Sequence, residues 1–163
     1  MPTFDYLTYV QYHIWANNRL LDVAEKIPTD QLMNEAALSF GSAFKTLRHM
    51  LDVEWSWRMA AQGQAATTVL WELEPLEDLA AVRAYWGAEG ERLLDFVRGL
   101  SDAEFEHEVT PSWMQKPYAV KHILIHLVNH ATNHRTELGW HFTRLGHSLG
   151  DSEFIDYLNA RQT

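Results

Sequence analysis

Apolar residues recur at helical spacing along four long segments of the chain, and turn-forming residues separate these segments. The predicted helices run from about Thr3 to Lys26, Ser42 to Ala61, Leu76 to Gly99 and Tyr118 to Leu145. Pro28 stops the first helix, and Gly146 provides a C-terminal cap for the last. The pattern therefore predicts an all-α protein.

Shorter elements are indicated between and after these helices. The run Ser101-Asp102-Ala103-Glu104 fits a capping box, and Asp151 could open a final short helix through Leu158. The extended candidates are Thr67–Trp71 and Glu108–Thr110, each too short to build a sheet. We therefore expect short extra helices in the loops and at the C-terminus.

Four long helices in one domain, residues 1–163, predict a four-helix bundle in which short or medium loops join neighbouring helices. A weak internal similarity relates residues 27–32, after the first helix, to residues 100–105, after the third. This similarity suggests two related helical hairpins.

Composition narrows the class of protein. Of 163 residues, 47% are hydrophobic, which is typical of a globular protein. No apolar run approaches the ~20 residues of a membrane span, and the N-terminus does not resemble a signal peptide. We therefore expect a soluble, cytoplasmic protein. The lack of cysteine excludes disulfides, thiolate metal sites and a cysteine nucleophile.

The net charge of −9 argues against contact with DNA, because affinity for nucleic acid depends on neutralising phosphates. A di-iron carboxylate bundle is also disfavoured. That class needs two Glu-x-x-His motifs, and only Glu104 to His107 fits, in a connecting segment.

The last long helix carries two overlapping histidine pairs, His126/His130 and His130/His134. Residues four apart lie one turn apart on a helix, so either pair could bind one ion. If Leu127 marks the centre of the buried stripe, His134 lies about 20° from it, His130 about 60° and His126 about 100°. His130 and His134 are thus predicted to be buried. They could bind a metal or be hydrogen-bonded core histidines.

His49 is a third candidate, from the second helix. It points away from the most apolar stripe of that helix, which contains Phe44, Leu47 and Met50. The small residues on its own side could flank a cavity beside a metal or face solvent, and the pattern does not decide between these interpretations.

The remaining histidines have simpler interpretations. We expect surface or capping positions for four of them: His13, His107, His122 and His147. His141 faces the core but lies two turns, ~10 Å, beyond His134, too far to share one ion. Glu137 lies between those two and could accept a hydrogen bond from either.

Several motifs, taken together, resemble the DinB/YfiT-like family of four-helix-bundle metalloenzymes. The first helix contains a segment similar to that family's W-A-N-x-R-L-L, and residues 47–55 resemble its single-histidine helix. Residues 129–135 match its N-H-x-x-x-H-R pattern, and the tail is also similar. The resemblance implies a divalent metal ion bound by His49, His130 and His134. The sequence does not name the ion, because imidazole suits several metals, and we expect Zn, Ni or Fe.

Two segments depart from the family pattern. Thr136 and Glu137 stand where the family often has Gly-Gln, and the loop Pro111–Pro117 lacks the glycine that is frequent there. Either departure could alter the pocket beside the metal.

Three imidazole ligands leave coordination positions open, as in catalytic metal sites. Characterised branches of the resembling family include transferases and isomerases that use low-molecular-weight thiols, so a small-molecule substrate and such a thiol are expected. A metal-dependent hydrolase and a non-catalytic, metal-stabilised dimerisation or binding module are alternatives. The resemblance also implies a homodimer. Asp52 and Glu54 are candidates for an outer-shell or acid–base role.

Overall fold

A computed structural model describes residues 5–162 of the chain and confirms the all-α prediction. Its elements are, in order, α1 (Tyr6–Ala24), α2 (Thr29–Met33), α3 (Ala43–Ala61), α4 (Leu70–Leu73), α5 (Leu79–Gly99), α6 (Asp102–Glu106), β1 (Glu108–Val109), β2 (Tyr118–Ala119), α7 (Val120–Arg144) and α8 (Phe154–Ala160). A membrane-spanning helix is not found between residues 5 and 162, since none there combines sufficient length with sufficient apolar character.

The four long helices form a bundle in which α1 and α3 each pack against both α5 and α7. Helices α1 and α3 therefore occupy opposite corners, as do α5 and α7. The expectation that every loop joins neighbours is wrong for two of the three connections. The connections at residues 25–42 and 100–119 each cross the bundle, and each contains a short helix, α2 or α6. The weakly similar segments thus occupy equivalent places in the fold.

Side-chain caps set where the long helices begin. The side chains of Asp5, Ser42 and Asp78 each accept a hydrogen bond from the backbone N–H three residues later. The third long helix accordingly starts at Leu79 instead of Leu76. The predicted start of the first helix at Thr3 lies outside the described residues. At α6 the predicted capping box is present.

The two segments that the sequence predicts to be extended differ in the structure. Glu108–Val109 pairs antiparallel with Tyr118–Ala119, which is why α7 begins at Val120 and not at Tyr118. The prediction for Thr67–Trp71 is wrong from Leu70 onward, where the short helix α4 begins. There the carboxylate of Asp52 accepts a hydrogen bond from the backbone N of Leu70 at 2.6 Å, which stabilises the first turn of α4.

A buried polar cluster joins three of the long helices inside the core. Oε2 of Glu54 on α3 accepts hydrogen bonds from Nε2 of His13 at 2.7 Å and from Nε1 of Trp86 on α5 at 2.7 Å. Nδ2 of Asn17 lies 3.3 Å from the same oxygen. His13 is 1% exposed, so its predicted surface position is wrong. Its partners offset the cost of burying a polar ring.

Candidate metal centre

Three histidines converge between α3 and α7, where the two helices pack together. His49 comes from α3, and His130 and His134 come from successive turns of α7. Their ring centroids are 5.1 Å apart for His49 and His130, 5.2 Å for His49 and His134, and 4.6 Å for His130 and His134. Each offers one ring nitrogen, and the three nitrogens lie within 4.8 Å of one another. This group, hereafter the histidine triad, could hold a metal ion.

The spacing of the ring nitrogens can be compared with that of known metal sites. Ligand nitrogens about 2.0–2.1 Å from a tetrahedral ion are about 3.3 Å from each other. Nε2 of His49 lies 3.2 Å from Nε2 of His130. Two nitrogens this close cannot both carry a proton comfortably, whereas both could donate a lone pair to one cation. The same distance also suits an N–H···N hydrogen bond between two neutral rings, so it is the third ring nitrogen, within 4.8 Å of the other two, that gives the site the donor set of a divalent ion.

Electrostatics keep two of these imidazoles neutral. Burial, together with the nearby ring of His134, lowers the pKa of His49 to about 4. Burial and the neighbouring rings, first His134 and then His49, lower the pKa of His130 to about 3. Since a metal ligand must be deprotonated, both rings are ready to bind at neutral pH.

An outer hydrogen bond orients the third ring of the histidine triad. Nδ1 of His134 donates to Oε2 of Glu137 at 3.0 Å, which leaves Nε2 as the nitrogen with a lone pair for a metal ion. Oε1 of Glu137 in turn accepts hydrogen bonds from the backbone N and Oγ of Ser39, at 2.6 and 2.8 Å. Partial burial by itself would raise the pKa of Glu137. The hydrogen bonds from Ser39 and His134 together have the larger effect, so the pKa of Glu137 is lowered. Such a carboxylate–histidine pair is typical of metal sites.

The loop before α3 covers one side of the histidine triad. The ring of Phe40 stacks on that of His49 with 3.7 Å between centroids and meets His134 edge-on at 5.6 Å. Gly41 has φ +82°, a left-handed conformation that favours glycine, and it closes the turn that presents Phe40. The sequence interpretation treated Ser39–Gly41 only as a helix-introducing turn and missed the contributions of Ser39 and Phe40. The sequence did offer one indication of these contributions: Ser39 and Phe40 lie in the turn immediately before α3, the helix that carries the candidate ligand His49.

The two acidic candidates lie elsewhere. Asp52 is engaged with the backbone of Leu70, and burial raises the pKa of Asp52. Glu54 is 1% exposed and belongs to the buried cluster with His13. Within residues 5–162 neither carboxylate hydrogen-bonds to a ring of the histidine triad. The outer carboxylate of the site is Glu137.

His126 does not join the histidine triad, in agreement with its predicted position at the edge of the buried stripe. Its ring packs against Trp57 with centroids 4.7 Å apart and lies 5.9 Å from the ring of His130. Partial burial lowers the pKa of His126. The histidine row on α7 thus continues beyond the triad toward an aromatic surface.

The fold and the histidine triad together define a class of protein: a helical bundle with a candidate metal site between two packed helices. Sequence comparison identifies the family within this class. The DinB family model matches residues 1–162, so the chain belongs to the DinB family. The protein is also similar to Protein DinB of Bacillus subtilis (strain 168), with 23% identity over 175 residues that cover 100% of this chain and 98% of that protein. The family predicted from the motifs is confirmed.

Proposed function

We propose that this protein is a divalent-metal-dependent enzyme that transfers or isomerises a small substrate with the help of a low-molecular-weight thiol. The observation that carries the proposal is the histidine triad, whose three ring nitrogens lie within 4.8 Å of one another. The rings are partly accessible, so a small molecule can approach them. A closed structural site would have four protein ligands.

The ion would be held by His49, His130 and His134. Bound there, it would supply Lewis-acid chemistry that favours the thiolate form of an incoming thiol. Imidazole ligands suit Zn, Ni and Fe, and we propose one of these. Glu137 keeps the ring of His134 in one orientation, and Phe40 shields one face of His49 from water.

The sulfur has to come from outside the chain, since the protein contains no cysteine. In the proposed transfer, the thiol sulfur forms a bond to an electrophilic carbon while the bond from that carbon to its leaving group breaks. The thiol proton is released to water. In an isomerisation the same sulfur would add to the substrate and leave again, so the thiol would be recovered.

Elemental analysis of the purified protein tests the metal site. We expect about one ion per chain in the wild type, and loss of that ion in the His49→Ala, His130→Ala and His134→Ala variants. His126→Ala and the exposed His122→Ala are the matched controls and should retain it. Full metal content in His130→Ala and His134→Ala would contradict the proposal.

Turnover separates the candidate activities. The metal-loaded protein should accelerate the reaction of glutathione or another small thiol with chlorodinitrobenzene, and His130→Ala should abolish the acceleration. Ester hydrolysis that needs metal but no thiol would instead identify a hydrolase. An inert protein that unfolds when a chelator removes the metal would identify a structural module.

We also propose that the protein is a homodimer in the cytoplasm. Exposed apolar side chains support self-association, among them Trp140 at 69% and Ile155 at 58% exposure. Sedimentation velocity over a range of concentrations tests the dimer. A single monomeric species throughout would contradict it.

A further inference from the structure

An apolar cavity opens next to the histidine triad, on the side where α7 begins. Its volume is about 190 Å³, and its lining residues are Trp57, Met114, Tyr118, His122, Ile123 and His126. We propose that this aromatic pocket binds an aromatic or similarly bulky apolar group of the substrate while the reacting atoms lie at the histidine triad. The inference rests on the proposed function and specifies the substrate class.

Ring contacts connect the aromatic pocket with the histidine triad. His126 packs against Trp57 at 4.7 Å and lies 5.9 Å from His130, so one imidazole separates the pocket from a proposed metal ligand. His126 and His130 are one turn apart on the same helix, a rise of about 6 Å along the axis. A molecule the size of a benzyl derivative can therefore span both places.

The character of the lining indicates what would bind. Trp57 is 8% exposed and forms the floor, with Trp113 edge-on at 5.4 Å and Tyr118 edge-on at 6.3 Å. Met114 is 37% exposed at the rim. Aromatic and thioether side chains favour a flat apolar ligand, because they offer dispersion contacts and ring stacking and few hydrogen bonds.

The walls of the aromatic pocket are held in place without a ligand. Oγ of Ser112 donates a hydrogen bond to the carbonyl oxygen of Ala66 at 2.8 Å, and the N–H of Met114 donates to the carbonyl of Pro111 at 2.9 Å. Tyr118 lies in β2, paired with Val109 of β1. A preformed pocket loses less conformational entropy on binding.

The volume favours a small ring over a larger occupant. An apolar cavity of about 150 Å³ accommodates benzene, so a space of about 190 Å³ suits one substituted ring. The position beside the histidine triad favours a substrate group over a segment of another protein. A second copy of the chain seated on Trp113 and Met114 is the competing occupant, and the experiment distinguishes it.

The first measurement uses a ligand that does not depend on the metal. Benzyl alcohol is titrated into the isotopically labelled protein, and the indole N–H resonances of Trp57 and Trp113 are followed by NMR. We expect both to shift saturably. Met114→Trp, which fills the pocket from its rim, should weaken binding about tenfold or more. Ile125→Trp is the matched control, since Ile125 is 39% exposed on α7 and does not line the pocket.

The second measurement connects the aromatic pocket with the histidine triad. Benzyl mercaptan and ethanethiol are compared as ligands of the Zn-loaded protein, and we expect the benzyl compound to bind about tenfold or more tightly. Met114→Trp should remove that preference and leave ethanethiol binding unchanged. Tyr118→Ala should reduce the preference without changing the metal content.

The outcomes separate the two hypotheses. Equal affinity for the two thiols, with no shift of Trp57 or Trp113 by benzyl alcohol, would overturn the aromatic pocket and leave the metal site standing. Saturable benzyl alcohol binding in a protein that binds neither thiol would support the pocket and overturn the thiol chemistry. A dimer that Met114→Trp dissociates, together with no benzyl alcohol binding, would assign this surface to self-association and overturn the inference.

Discussion

Nδ1 of His134 donates a hydrogen bond to Oε2 of Glu137, 3.0 Å away and one turn later on α7. This contact selects the tautomer of His134 that has its lone pair on Nε2, the nitrogen available to a metal ion. Ser39 holds the carboxylate from the far side, so the loop before α3 and the helix α7 together orient one proposed ligand.

Removal of that carboxylate should weaken metal binding without removing a ligand. We expect Glu137→Ala to lower the metal affinity by about 10–100-fold, because the ring of His134 loses its orientation and basicity. Glu137→Gln keeps a hydrogen-bond acceptor, so its metal affinity should lie between that of Glu137→Ala and that of the wild type. Competition with a chromophoric chelator measures the effect. Glu91→Ala, an exposed position on α5, is the control, and an equal loss there would point to a general charge effect.

The metal-free protein should lose stability as the pH falls from about 6.5 toward about 4. The pKa of His49 is lowered to about 4 and that of His130 to about 3, from 6.5 in the unfolded chain. In this window the unfolded chain binds protons that the folded protein does not, so the free energy of unfolding decreases. Above pH 6.5 this contribution is fully present.

Urea unfolding of the metal-free protein at several pH values checks this expectation. The double variant His49→Ala/His130→Ala should show a shallower decline of the free energy of unfolding between pH 7 and pH 5. The exposed His122→Ala should follow the wild type. A double variant with the same pH dependence as the wild type would show that the two histidines titrate normally in the folded protein.

The buried cluster around Glu54 should contribute strongly to stability. Glu54→Ala leaves the donors of His13 and Trp86 without a partner inside the core, and each buried donor left unsatisfied costs about 1–3 kcal/mol. Glu54→Gln preserves an acceptor and should cost less. Thermal and urea denaturation measure both. A Glu54→Ala protein as stable as the wild type would contradict the role assigned to this cluster.

Asp52 should act on the fold and not on the chemistry. Its carboxylate accepts a hydrogen bond from the backbone N of Leu70, so Asp52→Ala should destabilise the protein by about 1.5–3 kcal/mol. Asp52→Asn keeps the acceptor and should be nearly neutral. Metal content and thiol turnover should stay unchanged in both variants. A loss of turnover in the folded Asp52→Asn protein would restore Asp52 as a candidate for acid–base chemistry.

The histidine pair on α7 was predictable because helical periodicity relates residues on one helix. Apolar spacing located the four long helices within a few residues, and the same period set His126 apart from His130 and His134. The positions of His130 and His134 on the buried side of α7 follow from the sequence of that helix, without knowledge of which helix packs against it. Pattern alone could not decide the role of His49, because its neighbours on α3 are compatible with both a cavity and solvent.

The sequence by itself determined the four long helices, the capping box at Ser101 and the register of His130 and His134, since these depend on interactions between residues a few positions apart. Only the tertiary structure decided that α1 and α3 lie at opposite corners, that His49 meets His130, and that Ser39 and Phe40 complete the site around Glu137 and His134. The burial of His13 against Glu54 was decided there as well. These contacts join residues distant in the chain, and they depend on how whole helices pack, which local periodicity does not encode.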